Sequence, residues 1–152
     1  FLAEDWKGLV PRKFWYEVMD EANELVERDV KVDIQGYDID GDIVKAARAN
    51  AAQAGVDHMI HFQERPVSAL SHPKKYGFVI SNPPYGERIM ERREAEELYR
   101  SFGKAWAKFP ETWKLYLLSS HTEFERTFGK KADKKRKLYN GMLKCDLFMY
   151  LG

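Results

Sequence analysis

Residues 76–85, YGFVISNPPY, decide the fold. Tyr76 to Ser81 is a continuous apolar run, and two prolines follow one residue later. Proline fixes φ and removes an N–H donor, so a strand entering Pro83-Pro84 must stop there. A strand without polar alternation is one covered on both faces, as in the interior of a parallel sheet. Downstream, Leu98, Phe102, Ala105, Trp106 and Phe109 recur at helical spacing and predict an amphipathic helix over 95–109. Trp113 to Ser119 reads as a strand and His121 to Phe128 as a short helix. Asn140-Gly141 lies between two strand-like runs, 135–139 and 142–151, which predicts a hairpin.

Upstream, the same alternation runs backwards. Met59 to Gln63 is a short strand, preceded by a helix with Asp40 or Asp42 as N-cap and Gly55 as its stop. Val30 to Asp38 is rich in β-branched and aromatic residues and reads as a strand. Phe14, Val18, Ala22, Leu25 and Val26 predict a helix over 12–28. Strands alternating with helices imply an α/β fold: a doubly wound, Rossmann-like, mostly parallel sheet closed by an antiparallel hairpin. No repeat or Gly/Ser linker divides the chain. The expected organisation is a helical lead-in over 1–30 and a sheet core over 31–152.

Composition narrows the functional classes. The chain has 152 residues, 44% hydrophobic and 14% aromatic, enough for one well-filled core. Lys and Arg number 25 against 24 Asp and Glu, so any nucleic-acid contact must come from a local patch. One cysteine, Cys145, excludes an internal disulfide and a Cys-rich zinc site. The four histidines have no metal-ligand spacing, so no metal site is expected. No apolar run nears the ~18 residues of a membrane span and the N-terminus lacks a signal-peptide layout, so we expect a cytoplasmic protein away from membranes. The first residue is Phe1, not Met, which suggests a piece of a longer chain.

The chemistry concentrates at Asn82-Pro83-Pro84-Tyr85. In a parallel α/β sheet, ligands bind beyond the carboxyl ends of the strands, where this tetrapeptide falls. The prolines stiffen the loop and present carbonyls, Asn82 adds an acceptor, and Tyr85 adds a flat face for stacking. Two acceptors beside an aromatic plane suit a planar ring bearing an amino group. Holding both amine hydrogens concentrates the lone pair on nitrogen, ready to attack an electrophilic methyl. The competing reading is a Pro-Pro strand terminator with a structural tyrosine.

A second feature is Gly36-Tyr37-Asp38-Ile39-Asp40. A carboxylate at a strand end can accept from both ribose hydroxyls of a nucleotide-like cofactor, and Asp38 has that place. Ile39 would then lie against the adenine, while Asp40 caps the next helix.

GYDID with its following helix, NPPYGER with Leu98 and Tyr99 beyond it, and the KLYNG hairpin together resemble the class I S-adenosylmethionine-dependent methyltransferases. More narrowly, they resemble the THUMP-associated ribosomal RNA methyltransferases, once labelled adenine-specific DNA methylases. The resemblance spans essentially the whole chain. It implies transfer of a methyl group from S-adenosylmethionine to an exocyclic amine, that of guanine in large-subunit ribosomal RNA. Asp38 would bind the cofactor ribose. Asn82 and the Pro83 carbonyl would hold the target amine, within the group Asn82, Pro83, Pro84 and Tyr85, with Tyr85 stacked on the base. Two departures accompany it. The family's first strand and Gly-rich loop, and its THUMP RNA-binding domain, have no counterpart here, so we expect an open groove beside strand 33–38 and little activity from this chain alone. The acidic residue that the family places after the strand matching 59–63 is also missing; Ser68 is the candidate to replace its contact with the cofactor. Adenine-amine methylation of DNA or RNA, and a non-catalytic nucleic-acid-binding fragment, are the alternative functions.

Two further groups admit two readings each. Lys130, Lys131, Lys134, Lys135, Arg136 and Lys137 either contact phosphate or protect an edge strand. Glu87 and Arg88 either touch substrate or pair with each other. Cys145 reads as a small core residue.

Overall fold

The structure is a computed structural model describing residues 2–6, 8–27, 30–86 and 89–152. Its contacts divide the chain into two units, Phe1–Ile34 and Gln35–Gly152. The first holds α1 (Arg12–Glu24), which ends four residues before the sequence pattern suggests and has no buried residue. The expected end at Arg28 lies outside the described residues.

The second unit begins within β1 (Ile34–Asp38) and continues with α2 (Gly41–Gln53), β2 (Ile60–Glu64), β3 (Gly77–Ser81), α3 (Ile89–Trp106), β4 (Trp113–Ser119), α4 (Phe124–Phe128), β5 (Lys134–Asn140) and β6 (Leu143–Tyr150). Every expected strand is present, each within one residue of its reading except the first, which starts at Ile34 and not at Val30. Asp40 caps α2 as its sequence suggests: its side chain accepts from the N–H groups of Asp42 at 2.8 Å and Ile43 at 3.4 Å.

The strands form two sheets, β1-β2 and β3-β4-β6-β5. β3 and β4 are parallel, with Gly77 opposite Trp113 and Ser81 opposite Leu117. β6 returns antiparallel to both β4 and β5, and β5 and β6 meet in the expected hairpin, whose turn is Gly141-Met142, one residue beyond the Asn140-Gly141 reading, because Asn140 already pairs with Leu143. The doubly wound expectation is met in the alternation of elements, while the interior position of 76–81 is not. β3 is an edge strand among the described residues, with Phe78 66% and Ile80 82% exposed. Among the described residues β1 pairs with β2 alone, so its other edge is unpaired, as expected beside strand 33–38.

The core lies on one face of the four-stranded sheet. Trp113, Leu115, Leu117, Phe148 and Tyr150 point into it and meet Ala95, Tyr99, Phe102 and Trp106 of α3 and Phe124 and Phe128 of α4. The buried stripe of α3 therefore runs through Tyr99, and Leu98 is only half-buried. Gly103 is where α3 and α4 touch: a Cβ there would collide with the Phe128 carbonyl. On the other face lie Phe78, Ile80, Tyr116, Leu118, Leu147 and Met149, none buried.

Candidate active site

β3 delivers Asn82 to the carboxyl end of the four-stranded sheet, and the loop 82–86 is held there from several sides. The Tyr99 hydroxyl, reaching up from α3, donates to the Pro84 carbonyl at 2.7 Å. Its oxygen is also 3.0 Å from Ser119 Oγ, which accepts from the His121 N–H at 3.1 Å. Tyr99 spends its proton on Pro84, so Ser119 is the donor in the bond between them. The result is one directed chain: His121 N–H to Ser119, Ser119 to Tyr99, Tyr99 to Pro84. Such chains polarise cooperatively in a low-dielectric interior. Burial pushes the Tyr99 phenol above its ordinary value, with the Ser119 bond working against the rise, so the donor stays protonated.

Behind this chain, the imidazole of His121 is edge-on to Tyr99 at 5.6 Å. Its Nδ1 accepts from the Glu123 N–H at 3.1 Å, which leaves Nε2 to carry the proton that faces Glu96 Oε1 at 3.4 Å. Burial opposes the Glu96 charge, but His121, Arg100 and Arg92 outweigh it and hold the carboxyl below its ordinary value.

The prolines thus divide their work. The Pro84 carbonyl is taken by Tyr99, whereas the Pro83 carbonyl accepts no hydrogen bond from a described residue. Tyr85 donates its hydroxyl to Asn82 Oδ1 at 2.6 Å, and Asn140 Nδ2 stands 3.5 Å from the same hydroxyl. Burial raises the Tyr85 phenol; Asn140 and Asn82 pull against it and the nearby Cys145 adds to it, so the net rise keeps the hydroxyl a donor. An amide oxygen has two lone pairs, so Asn82 can accept from Tyr85 and from a second N–H together. Gly86 then turns the chain into α3 with φ of +67°, where a Cβ would come within 2.6 Å of Arg92 Cα. Glu87 and Arg88 lie outside the described residues.

The second corner is at β1. Asp38 is half-buried at the strand's end, and its Oδ1 accepts the Asp40 N–H at 2.9 Å. Its own carbonyl accepts the Arg65 N–H at 2.7 Å, which ties β1 to the start of the segment bearing Ser68. Ile39 is 73% exposed, and Ser68 is exposed on the 3-10 turn Val67–Ala69. Asp38 Oδ2 and the Ser68 hydroxyl have no hydrogen bond to a described residue, and with the open Ile39 side chain theirs is a chemistry that suits a nucleoside's ribose and base. No hydrogen bond among the described residues links this corner to residues 82–85. Sequence reasoning missed Tyr99 as a support for the loop and Asn140 as a neighbour of Tyr85. A tyrosine in an apolar helical stripe was the signal for the first, because a buried phenol needs a partner. Asn140 carried only a turn signal.

Comparison with known proteins now decides the family. Residues 3–148 match the model of the UPF0020 family, the RMKL-like methyltransferase domain. The chain belongs to that family. It is 36% identical over 150 residues to YpsC of Bacillus subtilis (strain 168), whose name assigns it provisionally to the RNA methyltransferases; the match covers 99% of this chain and 38% of YpsC. It is 35% identical to ribosomal RNA large subunit methyltransferase K/L of Shewanella baltica (strain OS185), over 99% of this chain and 21% of that protein. Among solved structures, SMU.472, described provisionally as a methyltransferase complexed with SAH, superposes with a TM-score of 0.88 at 40% identity, over 98% of this chain and 39% of that one. The chain therefore spans well under half the length of these relatives. These likenesses establish the methyltransferase fold and class expected from the sequence.

Proposed function

We propose that this chain is the partial catalytic domain of an S-adenosylmethionine-dependent enzyme that methylates an exocyclic base amine in RNA, namely guanine in large-subunit ribosomal RNA. The observation that carries this reading is the loop 82–85. Asn82 Oδ1 has a second lone pair for an incoming amine and the Pro83 carbonyl accepts no hydrogen bond from a described residue, while Tyr99, Ser119 and His121 support the loop through the Pro84 carbonyl. The named relatives of YpsC and K/L type support RNA as the methyl acceptor.

Asp38 would hold the cofactor ribose, Ile39 its adenine face, and Ser68 a further polar edge; the half-buried carboxylate and its exposed neighbours fit such a ligand. When bound, the cofactor supplies an electrophilic methyl group. The chain's own residues act by positioning. Asn82 and Pro83 accept the two amine hydrogens and orient the nitrogen lone pair. Tyr85 holds the Asn82 amide in place and offers its ring to the base. No described side chain is placed to take the leaving proton, which passes to water.

We further propose that the free edges of β1 and β3 receive one more strand, whose following loop encloses the methionine end of the cofactor. The test is single-turnover methyl transfer by the longer natural protein to ribosomal RNA lacking the modification, followed by nucleoside analysis. The expected product is N-methylated guanosine. Methylated adenosine would move the reading to adenine, and no transfer to RNA would overturn it.

A further inference from the structure

The basic cluster lies largely within the hairpin. Lys134, Lys135, Arg136 and Lys137 occupy consecutive positions of β5, the edge strand, so their side chains alternate between the two faces of the sheet. The two faces treat these cations differently. On the packed face, Lys135 Nζ is 2.8 Å from Glu125 Oε2, and Lys137 stands directly opposite Asp146. On the open face, Lys134 is opposite Met149 and Arg136 is opposite Leu147. Lys134 and Arg136 are exposed and have no ion pair among the described residues.

The open-face row has a direction. Leu138 and Asn140 continue it, and Asn140 Nδ2 is the group 3.5 Å from the Tyr85 hydroxyl. At about 3.4 Å per residue, Arg136 lies about 14 Å and Lys134 about 20 Å along β5 from Asn140. Two unneutralised cations, one strand repeat apart, thus lead away from the residues that hold the target base. Charges that serve only to block edge pairing have no reason to differ between faces. Here one face has its carboxylates, and the other has none among the described residues.

Resting on the reading of this protein as an RNA methyltransferase, we propose that the open face of β5 is a phosphate rail for single-stranded RNA. Arg136 and Lys134 hold successive backbone phosphates on one side of the target nucleotide, and Asn140 marks where the strand passes to Tyr85. Arg136 offers a planar fork that suits a phosphate bidentately, and Lys134 a point charge. Contacts of this kind fix register without reading sequence, and the flanking base edges remain free.

The test is binding of a short, fluorescein-labelled single-stranded RNA of mixed sequence to the full chain, followed by anisotropy over a range of salt concentrations. Each phosphate contact contributes about 0.7 to the slope of log K against log salt for a single strand. Lys134→Gln with Arg136→Gln is expected to flatten the slope by about 1.4 and to weaken binding of all sequences alike. Arg136→Lys keeps the charge and is expected to keep the slope, which separates lost contact from lost fold. Lys137→Gln, on the packed face, is expected to change neither. Salt-dependent RNA binding with the same slope in the double variant overturns the rail and leaves the methyltransferase reading standing. The flattened slope, together with no methyl transfer to RNA by the longer protein, supports the rail and overturns that reading instead. Absence of RNA binding at low salt overturns the rail outright.

Discussion

The corner at residues 82–85 and the corner at residues 38–40 are built in opposite ways. The first is held from a distance. Tyr99, Ser119, His121 and Asn140 come from α3, β4 and the β5-β6 hairpin, up to 55 residues away in sequence. The second is held by its own backbone: Asp38 takes the Asp40 N–H, and Asp40 takes those of Asp42 and Ile43. A corner fixed by tertiary contacts has one geometry only when the whole sheet is formed. A corner fixed by an Asx turn and a helix cap keeps its shape locally. The side proposed to hold the amine is thus pre-organised by the fold, which suits a group that must be aligned for transfer, and the side proposed to hold the ribose by the sequence next to it.

The largest expected effect breaks the comparison at its catalytic end. Asn82→Ala in the longer protein should lower single-turnover methyl transfer by about 10²-fold, as does removal of one positioned polar group elsewhere. Cofactor affinity should not change, because Asp38 belongs to the other corner. Tyr85→Phe should be milder than Tyr85→Ala: it keeps the ring but frees the Asn82 amide to turn. Equal rates for parent and Asn82→Ala would reduce residues 82–85 to a strand terminator.

Next in size is Tyr99→Phe. It keeps the ring against Phe124 and His121 and deletes one hydroxyl, leaving the Pro84 carbonyl and Ser119 Oγ without their partner. A buried group so orphaned costs about 1–3 kcal/mol, readable by denaturant titration. Turnover should fall with the loop's alignment, again at constant cofactor affinity. If stability drops while turnover holds, the long-range support serves the fold and not the site.

These two corners also explain what the sequence made legible. Asp38, Asp40 and the helix after them were readable because their bonds span two or three residues. NPPY was readable as a strand end because proline acts on its own backbone. Tyr99 was not read onto the buried stripe, which the spacing ran through Leu98, and its partner could not be named, since that depends on how α3 crosses the end of β3. The exposure of Phe78 and Ile80 was unreadable for a related reason. An apolar run reports that neighbours are wanted on both faces, and cannot say whether the same stretch of chain supplies them.

On the ribose side, Asp38→Ala in the longer protein should weaken S-adenosylmethionine binding about tenfold, roughly 1.4 kcal/mol by calorimetry. Turnover at saturating cofactor should be nearly that of the parent, the reverse of Asn82→Ala. If the two variants shift the same quantity, the corners are coupled and the division between them fails.

The smallest expected effect concerns pH and the hairpin that brings Asn140 to Tyr85. Glu125 accepts the Ala132 N–H and the Lys135 ammonium, both at 2.8 Å, and so ties α4 to the start of β5. Burial opposes its charge, but Lys135 and the Ala132 N–H outweigh it and hold the carboxyl below its ordinary value of 4.5. Glu125 in turn raises Lys135, against a smaller opposing effect of burial. A carboxyl depressed in the folded state stabilises fully above its unfolded value, and that contribution is lost as pH falls through the folded value. A raised lysine contributes below its unfolded value and loses its effect as pH climbs through the folded one. The pair therefore works across the neutral range and fades at both extremes. Glu125→Gln keeps an acceptor for Ala132 and removes the charge. Its melting temperature should lie slightly below the parent's at neutral pH, by the modest amount usual for a partly exposed ion pair. The gap should close as the pH drops below that of an ordinary glutamate. A gap that persists in acid would show that shape, and not charge, anchors the hairpin beside the Asn82 corner.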